Sequence, residues 1–424
     1  MSNFLKALSI PVMEGYSPDN LYPAPDLVIV GNVITKDNQE ATELSRLAFP
    51  YLSFPQALKH FAFKDKSTIV ISGTHGKTTT SALISWILEK AGMDPGFMIG
   101  GIPLDFKKNF KLGKGQYFVI EGDEYDTAFF DKGPKFLHYG PWVTILTSIE
   151  FDHADIYRDL NHVKENFRKL IDLMPQKGLL IANSDDPIIT AEITRARCPV
   201  STYGLSTNTM WKAIDINVQE DFTRFNVLKA GNDYITLYTR LYGRHNISNL
   251  LSAIVLGDFL GIPLPILSEA VRSFGGVRRR QEIIGEKRGI LILDDFAHHP
   301  TAVKETIRAV KEKYKGRRLI AVFEPRSNSS RRNIFQEQYA SSFENADLIM
   351  VPEPPMTEKI PPKERFSSKR LAKDLEKRDL TAFSFPNADT LLQALVKETR
   401  SGDVVLIMSN GGFDDIHNRL LESI

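Results

Sequence analysis

At 424 residues, with 42% hydrophobic and 25% charged content, the chain is globular in composition and too long for one ordinary hydrophobic core, so two or three domains are expected. Lys+Arg 53 against Asp+Glu 52 gives a net charge of +1, which excludes a global basic field that would recruit nucleic acid or an anionic membrane. The single cysteine, Cys198, excludes an intrachain disulfide and a multi-cysteine metal site, and suits a reducing, cytoplasmic setting as a small buried side chain.

Short β-branched runs alternate with amphipathic stretches almost throughout, the pattern of an α/β protein with largely parallel sheets. Three blocks are expected. Residues 1–64 open with "MSNFLKALSIPVMEGYSPDN", which lacks the apolar core of a signal peptide, and continue with strands at "LVIVGN" and "YLSF". This is half of a doubly wound domain.

Residues 65–278 begin with "STIVISGTHGKTTTSALISWILEKAG", which predicts a strand, a Gly-rich turn and, after Lys77 and three threonines, a helix from Ser81. Such a turn aims backbone N–H groups, a helix N-terminus and a lysine at a polyphosphate, and a threonine hydroxyl reaches the accompanying Mg²⁺. The loop is Gly73, Thr74, His75, Gly76, Lys77, Thr78 and Thr79; it is shorter than the common pattern, since Ile71 stands where a further glycine is usual. The next strands end in "EGDEYD", with Glu121, Asp123, Glu124 and Asp126, and in "SIEFDHADIY", with Glu150, Asp152, His153 and Asp155. In an open parallel sheet these loops meet at one carboxyl edge, and a metal–phosphate site needs such oxygen ligands.

Farther on, "TRFNVLKAGNDYITLYTRLYG" predicts antiparallel strands around a Gly-Asn-Asp turn at the edge of this sheet. "GRHNISNLLSAI" places His245, Asn246 and Asn249 at a helix start; the amides serve equally well to read a nucleobase or to cap their own helix. The apolar stretch "NLLSAIVLGDFLGIPLPIL" contains Asp258 and two prolines, which predicts a buried helix and no membrane span. "GGVRRRQE" brings arginines suited to phosphate, Arg280 among them.

Residues 279–424 repeat the alternation with strands "ILILDDF", "RRLIAVFEP", "ADLIMVPE" and "DVVLIMSN", in outline a second doubly wound domain. Asp295, His298 and His299 precede Pro300 at a helix start, and "FEPRSNSSRRN" and "MSNGGFDDIH" follow strands. "PEPPMTEKIPPKERFSS" is expected to be a Pro-rich charged loop, either mobile and near a site entrance or a plain surface loop.

Taken in order, "GTHGKTTT", "EGDEYD", "EFDHADIY", "GRHNISNLLSAI", "GGVRRRQE" and "DDFAHHP" resemble the Mur ligase family of ATP-dependent amide-bond-forming enzymes, over essentially the whole chain. "FEPRSNSS" and "MSNGGFDDIH" look most like the branch that joins UDP-N-acetylmuramate to the murein tripeptide L-alanyl-γ-D-glutamyl-meso-diaminopimelate during peptidoglycan recycling. The resemblance implies a three-domain α/β architecture: an incomplete Rossmann-like N-terminal domain, a central P-loop ATPase domain and a Rossmann-like C-terminal domain.

It also implies roles. Lys77 would hold the β- and γ-phosphates of ATP within the loop Gly73–Thr79, with Thr78 and Glu121 on Mg²⁺ and His153 on a second Mg²⁺. Asn246 and Asn249 would contact adenine with His245 close by, Arg280 would reach the γ-phosphate and Asp295 would bind the ribose. His298, Arg326, Ser327, Asn328, Ser409 and Asn410 would bind the tripeptide, whose carboxylates suit an arginine. The expected partners are the nucleotide sugar and the tripeptide, without nucleic acid or membrane, for a monomer or weak homo-oligomer.

Two departures stand out. Where several branches carry a carbamylated lysine, this chain has Arg168, so no such modification is expected. Family members also open with a UDP-binding strand, Gly-rich turn and helix, whereas "MSNFLKAL" matches the middle of that domain, with Met1 at an internal methionine; a start assigned too late is the expectation. Three other readings stay open: a ligase that adds L-alanine to the same nucleotide sugar, a truncated non-catalytic ATP-binding relative, and a plain P-loop ATPase.

Overall fold

The computed structural model describes residues 2–206 and 208–424, with side chains from Leu5 onward; Met1, and with it the question of the natural start, lies outside the described residues. Near the N-terminus, strands Val28–Val30 and Tyr51–Ser53 pair in parallel, with the helix Gln39–Leu47 between them in sequence. Asn38 caps that helix through bonds from the amides of Glu40 and Ala41. Leu21, Val30 and Leu44 form a small core completed by Phe129 and Phe130, which come from the hairpin that follows the strand Tyr117–Gly122.

Among the described residues a ten-stranded sheet forms the centre of the molecule. Its strands run, in spatial order, Asn232–Thr239, Thr223–Lys229, Trp211–Val218, Val200–Gly204, Leu179–Asn183, Val143–Leu146, Ser67–Ser72, Tyr117–Gly122, Gly96–Met98 and Phe110–Lys111. The middle of the sheet is parallel and its two edges are antiparallel. The predicted edge hairpin is present, but its turn is Ala230-Gly231, both with positive φ, and Asn232 already belongs to the returning strand. Two consecutive left-handed residues match the strand twist, which the Gly-Asn-Asp reading placed one position too late.

Successive side chains of the parallel strands enter opposite cores. Ile69, Ile71, Val119, Val143, Ile145 and Ile181 pack with the helices Lys77–Lys90, Arg244–Phe259 and Leu264–Ser273, whereas Val70, Ile120, Leu146 and Leu180 pack with the helix Leu160–Asp172. The sheet is therefore covered on both faces, which is why its strands read as unbroken apolar runs. The predicted buried helix is Arg244–Phe259, buried from Asn249 to Gly257, and no helix among the described residues is long and apolar enough to cross a membrane.

A six-stranded sheet follows, in the order Glu282–Lys287, Ile290–Asp295, Val404–Met408, Leu319–Phe323, Leu348–Pro352 and Ala382–Phe385. All pairings are parallel except the first. Leu291, Leu293, Ala321 and Leu406 face the helix Pro300–Lys313, and Ile292, Ile320, Val322 and Val405 face the helices Ala388–Glu398 and Ile416–Ser423. The Pro-rich loop beyond Pro352 is pinned down by buried Ile360 and Phe366, and by Arg331 donating to the Met356 carbonyl at 2.7 Å.

Candidate active site at the meeting of two sheets

The strand Ser67–Ser72 runs into the Gly-rich turn as the sequence predicts, but the helix Lys77–Lys90 begins at Lys77 and not at Ser81, because Gly76, at positive φ, caps it and the three threonines already turn with it. Two glycines are required there. Gly73 (φ 138°) would place a Cβ 2.2 Å from Thr147 Oγ1 and 2.8 Å from the Ser148 carbonyl, and Gly76 (φ 82°) would place one 2.4 Å from Asn249 Oδ1. The loop is held by the amide of Thr74 donating to the Ser148 carbonyl and by the amide of His75 donating to Ser148 Oγ, both at 2.9 Å.

Lys77 Nζ donates to the Gly73 carbonyl at 2.6 Å and to Glu124 at 3.0 and 3.3 Å. His153, at a positive φ of 53°, sets Nε2 3.3 Å from Glu124 Oε1 and lays its ring against Tyr125 with centroids 4.1 Å apart. Glu124 is thus a hub that sequence reasoning saw only as one of four acids in a loop. Burial pushes its carboxyl up, but Lys77 and His153 outweigh that and hold it lowered to about 2. Burial pushes Lys77 and His153 down in turn, and Glu124 more than restores both, so each is raised.

Glu121 behaves differently. It lies on the same sheet face as Val119, toward the helix Lys77–Lys90, and there it accepts from Thr78 Oγ1 at 3.0 Å and from the amide of Gly100 at 2.6 Å. Burial and Asp123 raise its pKa. Of the predicted metal ligands, Thr78 and Glu121 touch each other, whereas His153 contacts Glu124.

The second sheet contributes from across the gap. Arg280 lays its guanidinium 4.8 Å from the Phe296 ring centroid and reaches Thr78 Oγ1 at 3.5 Å. The neighbouring Arg279 turns away, pairing with Asp294 at 3.0 Å and donating to the carbonyls of Ser409 and Gly411. Asp295 accepts from the amides of Gln281 and Ala297, both at 2.8 Å, and burial raises its pKa.

Neither helix-start asparagine caps its own helix. Asn246 donates to the Tyr242 carbonyl and to Gln281 Oε1, and Asn249 lies against Gly76. Gln281, unforeseen in the sequence, therefore joins the central helix to Asp295. His245 is partly buried, with Nδ1 shielded from solvent and unpartnered, and desolvation, aided by Arg308 and Arg280, lowers it to about 4.

The loops assigned to the tripeptide form two groups. Arg326 pairs with Glu324 at 3.1 Å, and Ser409 donates to the other oxygen of the same buried carboxylate. Asn328 instead donates to Asp155 at 2.8 Å, next to Ser329, which donates to Asp152 at 2.8 Å. Ser327 bonds Ser330, His298 Nε2 stands 3.9 Å from Asp152 Oδ2, and Asn410 Oδ1 is buried without a hydrogen-bond partner. Arg168 is paired twice with Glu192 at 2.7 Å.

This arrangement matches known proteins along its length. Residues 71–257 match the family model of the Mur ligase middle domain, and residues 279–411 that of the Mur ligase, glutamate ligase domain. The chain is 38% identical to UDP-N-acetylmuramate–L-alanyl-γ-D-glutamyl-meso-2,6-diaminoheptandioate ligase of Escherichia coli strain K12, covering 100% of this chain and 90% of that one. It is similar to the crystal structure of a murein peptide ligase from Psychrobacter arcticus, with a TM-score of 0.71, 32% identity, and coverage of 100% of this chain and 90% of the other. The UDP-N-acetylmuramate-alanine ligase of Thermotoga maritima shares the fold, with a TM-score of 0.80 at 24% identity over 99% of this chain and 90% of that one.

Proposed function

The chain belongs to the Mur ligase family of ATP-dependent, ADP-forming amide ligases, and from that premise we propose that it joins UDP-N-acetylmuramate to L-alanyl-γ-D-glutamyl-meso-diaminopimelate. The reaction returns released cell-wall peptide to the nucleotide-sugar pool of the cytoplasm. The observation that carries the reading is the approach of Arg280 to Thr78 across the two sheets, which brings a cation of the second sheet to the Thr78–Glu121 pair at the same phosphate loop whose Lys77 meets Glu124 and His153.

A carboxylate is a poor electrophile, so it must be activated. Its oxygen attacks the γ-phosphorus of ATP, the bond from phosphorus to the ADP oxygen breaks, and an acyl phosphate forms. The peptide amine then adds to the acyl carbon, inorganic phosphate leaves, and the proton lost from nitrogen passes to solvent. Lys77 and Arg280 supply positive charge to the transferring phosphoryl group from two sides, and the loop amides fix its position. For this to happen Lys77 exchanges Glu124 for phosphate.

The donor set fits Mg²⁺. Thr78 and Glu121 offer hard oxygens in contact, and the buried Glu121 carboxyl, raised by burial and Asp123, is one that a divalent cation would relieve. Bound there, Mg²⁺ would draw charge from the phosphate oxygens; His153, beside Glu124, would hold the second ion. Arg326, kept in place by Glu324, would meet a tripeptide carboxylate, and the unpartnered oxygen of Asn410 would accept from the peptide.

The test is phosphate release from ATP with UDP-N-acetylmuramate and tripeptide together, with each omitted in turn, and with L-alanine in place of the tripeptide. Release that needs both substrates supports the reading. Faster release with L-alanine overturns the choice of acceptor, and release without the nucleotide sugar overturns the ligase assignment.

A further inference from the structure

Beside the Lys77–Glu124–His153 group lies a second cluster, to whose side chains the ligase chemistry described above gives no task. His75, in the middle of the phosphate loop, places Nε2 3.4 Å from Glu150 Oε2, and His299, at the start of the helix Pro300–Lys313, places Nδ1 3.4 Å from the same oxygen. One ligand atom from each of the three residues lies within 4.8 Å of the others. The three come from the phosphate loop, from the loop after the strand Val143–Leu146, and from the second sheet's domain.

The tautomer of His299 follows from its partners. Nε2 stands 3.2 Å from the Phe151 carbonyl, which can only accept, so Nε2 bears the proton; Nδ1 accepts a long 3.3 Å bond from the amide of Thr301. Nδ1 therefore has no proton to offer Glu150 Oε2, 3.4 Å away, and its one lone pair is held only by the long bond from the Thr301 amide, from which a cation would take it. The approach of Nδ1 to Oε2 is repulsive in isolation and attractive around a cation. The spacing also fits one: ligands about 2.0–2.1 Å from a tetrahedral metal ion stand roughly 3.3 Å from each other. Glu150 is already oriented by Thr301, whose hydroxyl donates to Oε2 at 2.7 Å, the kind of outer support that metal-binding carboxylates have.

We propose that His75, Glu150 and His299 form a binding site for one borderline divalent cation of the Zn²⁺ class, separate from the phosphate-site Mg²⁺, that clasps the C-terminal domain to the phosphate loop. Two imidazoles and a carboxylate select such an ion over Mg²⁺, and three protein ligands leave a fourth position open to water or an anion. His75 is the more exposed imidazole, and one of its ring nitrogens lies within 4.8 Å of the ligand atoms of Glu150 and His299. Because the ligands belong to both domains, the bound ion opposes their separation. The site stands whether or not the acceptor is the tripeptide.

The test uses the full chain stripped of metal and titrated with Zn²⁺ against a chromophoric chelator, with thermal unfolding measured alongside. His299→Asn removes the imidazole but keeps a good helix cap, and Glu150→Gln keeps the shape and the bond from Thr301. The expected result is one tight equivalent of Zn²⁺ in the parent chain and a Zn²⁺-dependent rise in Tm, both lost in either variant and both kept in His153→Asn. Zn²⁺ uptake at least tenfold weaker in each variant supports the site. No tight equivalent in the parent chain overturns it, and so does uptake that survives both substitutions or disappears only in His153→Asn.

Discussion

The Lys77 ammonium and the Glu124 carboxylate are 3.0 Å apart at the floor of the phosphate loop, and Glu124 also meets His153 at 3.3 Å. An anionic carboxylate thus neutralises the lysine that the proposed reaction needs for phosphate, so the two anions compete for one cation. Lys77→Ala is expected to abolish turnover. It also leaves Glu124 buried with one partner fewer, at a cost of roughly 3–5 kcal/mol in unfolding free energy. Adding Glu124→Gln to Lys77→Ala should recover most of that stability and none of the activity. Denaturant unfolding beside phosphate-release assays separates the two effects, and a double variant no more stable than Lys77→Ala would refute the pairing.

The two loop glycines differ in what surrounds them. A Cβ at Gly73 meets backbone atoms of Ser148 as well as Thr147, whereas a Cβ at Gly76 meets only the Asn249 side chain, which can move. Both substitutions force a left-handed or extended positive φ on alanine. Gly73→Ala is expected to destabilise by more than Gly76→Ala, on the order of 3 against 1–2 kcal/mol. Gly76→Ala should instead show its main effect as weaker ATP binding, read by calorimetry.

Adjacent arginines have separate tasks. Arg279 holds buried Asp294 and two carbonyls of the loop after Val404–Met408, so Arg279→Ala should lower stability by roughly 2–4 kcal/mol, since it frees the two carbonyls and leaves the carboxylate with His417 alone, 3.1 Å away. Arg280→Ala removes a contact to Thr78 and a stacking partner of Phe296, and should cut kcat by about 100-fold with little change in Tm. The opposite pattern would exchange the roles.

Much of this was legible in the sequence because strand parity and loop position follow from repeat distances. Glu121 shares parity with Val119, which turns it toward the helix carrying Thr78, and the run Ile69 to Ile71 announces a strand covered on both faces. Glu124 was not legible in the same way: it lies beyond the strand, where no period applies, and its tie to Lys77 depends on the path of a loop. The contacts between the two domains were hidden for a similar reason. Asn246 to Gln281, Ser329 to Asp152 and His299 to Glu150 each join segments separated by tens to hundreds of residues, and spacing within a motif says nothing about them. Arg168 by its identity excludes a carbamylated lysine, but its bidentate partner Glu192 stands 24 residues away, outside any motif that contains Arg168.

The tripeptide loops permit a separation of substrates. Arg326 sits on Glu324 and packs so closely on Gly411 that a Cβ there would fall 2.1 Å from Arg326 Cδ. Arg326→Ala is expected to raise the KM for the tripeptide by about 10- to 100-fold while leaving that for ATP unchanged, as expected for loss of one charge-assisted contact. An equal rise in both would place Arg326 elsewhere in the reaction.

His245 supplies a pH dependence with a definite sign. Burial, together with Arg308 and Arg280, lowers its folded pKa from 6.5 to about 4, and its Nδ1 has no partner to hold a proton. Between those values the unfolded chain binds the proton that the folded one refuses, so the stabilisation is complete above pH 6.5 and is lost as pH falls toward 4. The full difference is on the order of 3 kcal/mol, of which about 2 has gone by about pH 5. His299, also lowered to about 4, adds to the same slope, and His153, whose pKa is raised, opposes it. Glu124 and Glu150, lowered to about 2, contribute stability that is lost mainly between pH 4.5 and that value, below the pH 5 arm of the comparison. Urea unfolding at about pH 7.5 and about pH 5 should therefore give a stability difference that shrinks by about 2 kcal/mol in His245→Gln, which cannot take up a proton. An unchanged difference would mean that His245 titrates as freely in the folded chain as in the unfolded one.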